Sequence, residues 1–171
     1  MAKPPNLPAQ DRIIPPEGKM PVYLEVPNPL FQSTDLCIWV EPIRIYAEGL
    51  EFTFHLSVRD PDPSTPEASR LTRGLGSDHG VFIEIASDLG TAHNDMDFRN
   101  PPASSERPWL IGHSAMGTAA SSHAVYYYSP CPSTGTIAVR MTSSELGLDS
   151  IVLELDARAI ADCLATRDQT Q

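Results

Sequence analysis

Three residues within one short stretch carry side chains that can bind a divalent cation. His93, Asp95 and Asp97 alternate along the chain, and this spacing can direct all three to one side of an extended loop. Imidazole nitrogens and carboxylate oxygens are both metal ligands. One loop supplies too few ligands alone, so His79 or His113 would have to complete the set. The three residues are therefore predicted to form a metal site or, alternatively, to be polar residues of a solvated loop.

A serine beside a histidine, Ser114 next to His113, is the next arrangement that could do chemistry, because an imidazole can activate a hydroxyl nucleophile. The surrounding residues 112–117 lack the pattern that places such a serine on a sharp strand-to-helix turn. Gly74 and Gly76 belong to no phosphate-binding glycine motif. The sequence therefore predicts no catalytic residue and no cofactor, and an enzyme is the less favoured interpretation.

Three consecutive tyrosines are the most unusual local feature. On a strand Tyr127 must face away from Tyr126 and Tyr128, because successive side chains alternate. The ring that faces away from the core either packs across strands beneath a loop or belongs to an aromatic contact surface. Tyrosine and tryptophan are enriched where proteins meet their partners. We therefore predict a partner contact at Trp109, Tyr126, Tyr127 and Tyr128.

The elements that must position these residues are β-strands. The cleanest strand covers residues 50–58, where Leu50, Phe52, Phe54, Leu56 and Val58 alternate with polar residues. That alternation predicts one face on a core and the other in water, with His55 exposed on the polar face. The dipeptide Glu48-Gly49 predicts a tight turn, which would pair this strand with residues 43–46 in a hairpin.

The remaining pattern predicts further short strands and one terminal helix. An apolar run at residues 36–40, which includes Trp39, is typical of a strand that is covered on both sides. Asp156 is a predicted N-cap for a helix that runs to about Thr166. The other predicted strands are at 22–26, 81–85, 109–111 and 151–155, with a second hairpin formed by 124–128 and 136–141. Together these elements predict an all-β fold, an antiparallel two-sheet β-sandwich with a short C-terminal helix.

Proline and glycine divide the 171 residues into parts. Residues 1–21 contain six prolines and form a predicted N-terminal arm, because so few large apolar groups cannot close a core. A single β-sandwich domain is predicted for 22–167 and a tail for 168–171. The segments 60–80, 87–108 and 112–122 are predicted loops, the last because it is rich in small polar residues.

The charge balance excludes two classes of partner. A net charge of −10, with only two lysines, both before residue 20, disfavours binding to nucleic acid or to an anionic membrane surface. No apolar run is long enough to cross a membrane. The three cysteines form no paired motif and are predicted to be reduced packing residues. With no basic-then-apolar leader, a cytoplasmic location is the default expectation.

Several segments resemble a family of small uncharacterised actinobacterial proteins. The likeness begins with residues 36–40 (LCIWV), 46–54 (YAEGLEFTF) and 56–59 (LSVR), and continues through 80–94 (GVFIEIASDLGTAHN) and 125–137 (VYYYSPCPSTGTI). It extends from residue 36 to about 165. The chain departs from the family in two places, since the glycine run of the family is reduced to Gly112 and Gly117 and its hairpin tryptophans are tyrosines here. The resemblance implies an all-β fold and transfers no activity or site residue.

These observations favour one functional hypothesis over another. The favoured one is a non-catalytic β-sandwich that acts as a protein-interaction or assembly module, binding another protein or copies of itself through its loops. The alternative is a β-sandwich enzyme that binds a metal or small ligand with the loop at residues 93–97. The two differ in whether the purified protein holds a stoichiometric metal ion.

Overall fold

The computed structural model describes residues 15–59, 81–94, 107–118 and 120–168. Within them the chain forms eleven strands and one helix. The strands are β1 (Val22–Leu24), β2 (Phe31–Gln32), β3 (Leu36–Val40), β4 (Ile43–Ile45), β5 (Leu50–Val58), β6 (Phe82–Ser87), β7 (Gly90–His93), β8 (Trp109–Gly117), β9 (Ser121–Ser129), β10 (Thr136–Ser143) and β11 (Leu148–Asp156), and the helix is α1 (Ala157–Asp168). No helix in these ranges has the length and apolar content needed to span a membrane.

The larger sheet contains seven strands that lie in five positions across the sheet, because two of the positions are each shared by two short strands. β8 pairs with β9 and β9 with β5. On the other side of β5, β4 and β3 follow one another as a single interrupted strand, because both pair antiparallel with β5. β1 and β2 likewise share the outermost position, pairing with β4 and β3. The predicted hairpin between residues 43–46 and β5 is confirmed.

The side chain of Asn28 bonds to the neighbouring strand in the gap between β1 and β2, where the outermost position of the sheet has no strand. Asn28 donates a hydrogen bond from its amide to the carbonyl of Val40 at 2.8 Å and accepts one from the Val40 amide at 3.0 Å. It thus takes the place of a backbone partner where Pro27 and Pro29 prevent a continuous strand. The predicted edge strand at 22–26 is shorter than expected, since it ends at Leu24.

The smaller sheet has the order β11-β10-β6-β7, with every neighbouring pair antiparallel. Its inner residues meet the inner face of the larger sheet in one core, where Ile83, Ile85 and Val139 are at most 1% exposed. Tyr128 reaches across this core and shares a hydrogen bond of 2.8 Å with Ser87. The structure is therefore an antiparallel two-sheet β-sandwich, as predicted.

The alternating residues of β5 lie at the centre of that core. Leu50, Phe52, Phe54 and Leu56 are fully buried, and the rings of Phe52 and Phe54 are nearly parallel at 5.8 Å between centroids. Burying each such side chain contributes about 2 kcal/mol to folding. β5 is thus the inner strand about which the larger sheet is built.

The C-terminal helix begins where the sequence predicts. The Asp156 carboxylate accepts a hydrogen bond of 2.8 Å from the Arg158 amide, which satisfies one of the free N–H groups at the helix start. Ala157 and Ile160 are fully buried, and Leu164 packs against the core from the same side. The helix therefore contributes to the sandwich through one apolar face.

Three predictions about the second half of the chain are wrong. Most of residues 112–122 form the ends of β8 and β9 and the connection between them, rather than a loop, because backbone pairing does not require large side chains. Residues 124–128 and 136–141 do not form a hairpin. β9 lies in the larger sheet and β10 in the smaller one, so the connection at 130–135 crosses between sheets. The strand β7 was also not predicted, since it lies in the stretch interpreted as a loop at 87–108.

Candidate functional site

The outer face of the seven-stranded sheet, which points away from the core, carries a line of four side chains. Trp39 of β3 lies opposite His55 of β5. His55 in turn lies opposite His123 of β9, which lies opposite Met116 of β8. Directly opposite side chains on one face of a sheet are about 5 Å apart, so these four form a continuous line across four strands. We call them the transverse row.

The transverse row is held together by ring stacking and one hydrogen bond to a carboxylate. The Trp39 and His55 rings are parallel within 5° at 4.9 Å between centroids, and the His123 ring follows at 5.6 Å. His55 Nε2 lies 2.9 Å from Glu41 Oε1, so Nε2–H donates to the carboxylate. Glu41 Oε2 is also 3.9 Å from the Arg44 guanidinium. His55 is thus fixed on its strand by one ring and one carboxylate.

A groove of about 610 Å³ runs beside the transverse row. It is open because the next positions along the strands, Ser57 and Ser121, which pair with each other, have small side chains. Met116 at its end is 64% exposed. This volume is within the range of sites that bind small molecules or side chains of a partner. The residues that line it are Trp39, His55, Met116, Gly117, Thr118, Ser121, Ser122 and His123.

The other end of the same outer face is closed, in the sense that packed side chains shield it from solvent. Glu51 and Tyr127 lie opposite each other in β5 and β9 and are only 7% and 1% exposed. Arg44 Nη1 donates a hydrogen bond of 2.5 Å to Glu51 Oε1. The Tyr127 ring lies against Gly49, and the edge of Tyr46 meets it at 6.1 Å between centroids. The prediction that this face of β5 lies in water is therefore wrong at Glu51.

Charge and burial shift the pKa values at this closed end. Burial works against the charged form of Arg44, but the hydrogen bond and charge of Glu51 outweigh it, so the pKa of Arg44 is raised. Burial also raises the pKa of Tyr127 well above its ordinary value, and the Glu48 carboxylate adds to this effect. The closed end therefore holds a charged pair and a neutral phenol at physiological pH.

The predicted contact aromatics are buried. Tyr126 and Tyr128 are fully buried on the core side, Tyr127 is 1% exposed on the outer side, and Trp109 is 6% exposed. The alternation of the three tyrosines is confirmed, because Tyr126 lies opposite Phe52 of the core and Tyr127 opposite Glu51. These four side chains nevertheless present no exposed aromatic surface, since cross-strand packing covers even the ring that faces outward.

The predicted metal ligands are only partly within the described residues. His93 ends β7, half-buried, and its ring lies 5.8 Å from that of Phe82. Asp95 and Asp97 lie outside the described ranges, so the metal site stays a prediction. Within those ranges, no three His, Cys, Asp or Glu side chains are grouped so that they could hold a metal ion. The three cysteines are free thiols.

His113 occupies a bulge in β8, where the pairing with β9 shifts between Gly112 and Ser114. Its ring lies 6.0 Å from the Tyr127 ring, and its buried Nε2 has no hydrogen-bond partner among the described residues. Burial lowers the pKa of His113, although the nearby Glu51 charge acts in the opposite direction. Burial therefore favours the neutral form of His113, whose ring packs beside Tyr127.

This burial predicts a loss of stability in mild acid. The unfolded chain binds a proton at His113 near the ordinary pKa of about 6.5, whereas the folded chain binds it only at lower pH. The contribution of neutral His113 to stability is thus complete above about pH 6.5. It decreases as the pH falls from there through the lower pKa that His113 has in the folded chain. Replacing His113 with glutamine should reduce the difference between urea midpoints at about pH 7.5 and about pH 5. An unchanged difference would show that His113 is protonated equally in both states.

Sequence reasoning missed the transverse row for an identifiable reason. If residues are counted back from the Glu48-Gly49 turn, Val40 falls opposite His55, because the pairing of Ile45 with Leu50 fixes the register at the turn. In the structure Trp39 is opposite His55 instead. The chain gains one residue at Glu41-Pro42, so Trp39 moves from the predicted core to the outer face. Proline inside a strand is a signal for such a bulge.

No protein-family model matches this chain, and neither a curated protein nor a solved structure does. The resemblance to an actinobacterial family therefore stays a prediction. The outer face of the seven-stranded sheet, with one closed and one open end, is the feature on which a functional proposal can rest.

Proposed function

We propose that this chain is a non-catalytic interaction module that contacts another protein through the transverse row and the groove beside it. The observation that carries the proposal is the arrangement of that row, which runs from the half-buried Trp39 to Met116 at the sheet edge. Met116 has about two-thirds of its surface exposed. Methionine and aromatic residues are enriched at protein interfaces, and methionine adapts its shape to a partner.

The charge around the groove also supports binding to a protein. None of the described residues that line it carries a carboxylate, although the chain has a net charge of −10. Glu41, an acidic residue beside the row, is engaged by His55 and Arg44. The groove is thus an area without acidic side chains on an acidic protein. Depletion of charge at the centre of the contact is the compositional mark of an interface.

The hydrogen bonds at the groove favour binding over catalysis. A nucleophilic hydroxyl needs an imidazole within hydrogen-bond reach, but in the described part of the chain no hydrogen bond joins His55 or His123 to a hydroxyl, and Ser122 Oγ has no partner. Thr118 Oγ1 instead accepts hydrogen bonds from the amides of Ala120 and Ser121, which hold the β8–β9 turn. The alternative of an enzyme that uses residues 93–97 has no comparable support from the described residues.

Affinity capture in the organism that encodes this chain tests the proposal. We compare a tagged wild-type chain with a row variant, Met116→Ala with His123→Ala. The matched control, Phe82→Ala with Val152→Ala, removes two exposed apolar side chains of the smaller sheet. We expect at least one protein to be captured about tenfold less by the row variant, a loss of about 1.4 kcal/mol in binding, and equally by the control.

Two outcomes would contradict the proposed function. One is that the wild type and the row variant recover the same proteins in equal amounts. The other is that the wild-type chain captures nothing above the level of an unrelated tagged protein. Circular dichroism of both variants at matched concentration verifies that they are folded.

A further inference from the structure

The four outer edges of the two sheets differ in how they are protected. An exposed strand edge offers free backbone groups to another chain, and proteins block it with charges, prolines or short strands. The edge formed by β1 and β2 is short and interrupted by Pro27 and Pro29. The β7 edge has only four residues. The β11 edge is long but contains Asp149, Glu154 and Asp156.

The β8 edge has neither charge nor proline. Its nine residues read WLIGHSAMG, and in the described part of the chain β8 pairs only with β9. In an antiparallel strand, alternate residues direct their backbone N–H and C=O groups away from the partner. Residues 109–111 are buried, but Ser114, Met116 and Gly117 are exposed. The accessible edge is therefore the segment beyond the bulge at His113, residues 114–117.

We propose that the partner at this edge is a second copy of the same chain, whose β8 pairs antiparallel with the first. This inference rests on the proposed function, because it names the partner of the same surface. A two-fold contact buries the same patch of both copies, so that a patch with a net charge faces a patch of the same sign. For a chain of net charge −10, an uncharged strand is the edge at which two copies meet without like-charge repulsion.

The geometry of such a pair joins the two transverse rows. A two-fold axis through paired antiparallel edges is perpendicular to the sheet, so the outer faces of both copies point in the same direction. Pairing centred near Ala115 brings both Met116 side chains to that shared face, next to His123 of their own sheets. The two seven-stranded sheets then form one continuous sheet, in which the two transverse rows lie on the same face, offset by two residues along the strands. Because the free segment is short, we expect an association that dilution reverses.

Sedimentation equilibrium over a range of concentrations tests this inference. We expect the wild-type mass to rise from 18.7 kDa toward twice that value as concentration increases. Met116→Lys places like charges near each other across the contact and should keep the chain monomeric at every concentration. Val152→Lys, which adds the same charge at a residue of β11 that is 48% exposed, should associate like the wild type. Ser114→Glu provides a second edge variant, also at an exposed position.

Each result decides between defined alternatives. Monomeric Met116→Lys and Ser114→Glu together with an associating Val152→Lys would support pairing through β8. Association of the edge variants, or a loss of association in Val152→Lys, would overturn it. A wild-type chain that stays monomeric at all concentrations would also overturn it. In that last case the proposed function would still stand if the capture experiment recovers a foreign protein that the row variant loses.

Discussion

Replacing Gly49 with alanine is expected to lower the free energy of unfolding by about 3 kcal/mol, near the upper end of the usual cost for overpacked sites. A Cβ at this position would lie 2.3 Å from the Tyr128 carbonyl oxygen and 2.7 Å from Cζ of the Tyr127 ring. The first of these atoms belongs to the backbone of β9, which pairs with β5 along eight residues. It cannot move without disturbing the sheet. Urea denaturation followed by circular dichroism measures the loss.

Gly147 provides the matched control. It lies in the turn between β10 and β11 with φ of +64°, and a Cβ there would meet no atom within 4 Å. Alanine at Gly147 should therefore lower the free energy of unfolding only by the cost of the left-handed backbone conformation, about 1 kcal/mol. If Gly49→Ala costs no more than Gly147→Ala, the close approach of the β4–β5 turn to β9 is incorrect.

Replacing Arg44 with alanine is expected to cost about 3 kcal/mol, because it leaves the buried Glu51 carboxylate without its partner. The Glu51 side chain is 8% exposed and the Arg44 side chain 40% exposed. The two halves of the pair are therefore unequal. Glu51→Gln leaves a guanidinium that can turn to water or to Glu41, so its cost should be smaller than that of Arg44→Ala. Thermal and urea unfolding at pH 7 provide the comparison.

The double variant Arg44→Met with Glu51→Leu separates loss of charge from loss of packing. Apolar residues of similar volume can replace a buried ion pair with little loss of stability. We therefore expect the double variant to be more stable than Arg44→Ala alone. If Arg44→Ala costs less than about 1 kcal/mol, as exposed ion pairs do, then Glu51 is solvated and the outer face is open at both ends.

Much of the fold could be predicted because local signals agree with the final structure. The core face of β5 and the Glu48-Gly49 turn each depend on neighbouring residues, and both are confirmed, whereas the outer face of β5 is buried at Glu51. The start of the helix at Asp156 is confirmed for the same reason. The assignment of β9 and β10 to different sheets could not be predicted, because a six-residue connection fits a hairpin as well as a crossing. Only the partners of each strand distinguish these possibilities.

Less of the candidate site could be predicted, because it depends on register. His55 is visible on the polar face of β5, but its neighbours Trp39 and His123 are 16 and 68 residues away in the numbering. A one-residue error at the Glu41-Pro42 bulge places the wrong side chain beside it. The tyrosines show the opposite problem. Their alternation was readable, whereas the burial of Tyr127 depends on the close approach of the turn at Gly49.

The outer face of the larger sheet thus has two ends with different roles. At the end with Arg44 and Glu51, a buried ion pair and packed rings stabilise the sheet. At the end with the transverse row, small residues leave a groove and an uncharged strand edge. We therefore expect substitutions at the first end to change stability and substitutions at the second to change binding. If substitutions at the first end changed binding and substitutions at the second end changed stability, the assignment of the two ends would be incorrect.

Site-specific photo-crosslinking in the native cell tests the central claim most directly. A photoreactive amino acid is introduced at position 116, at the end of the transverse row, or at position 152 on β11, where the native side chains are both exposed. We expect a crosslinked protein adduct from position 116, with another protein or with a second copy of the chain, and only background from position 152. Equal adducts from both positions, or none from position 116, would contradict the assignment of this surface as the binding site.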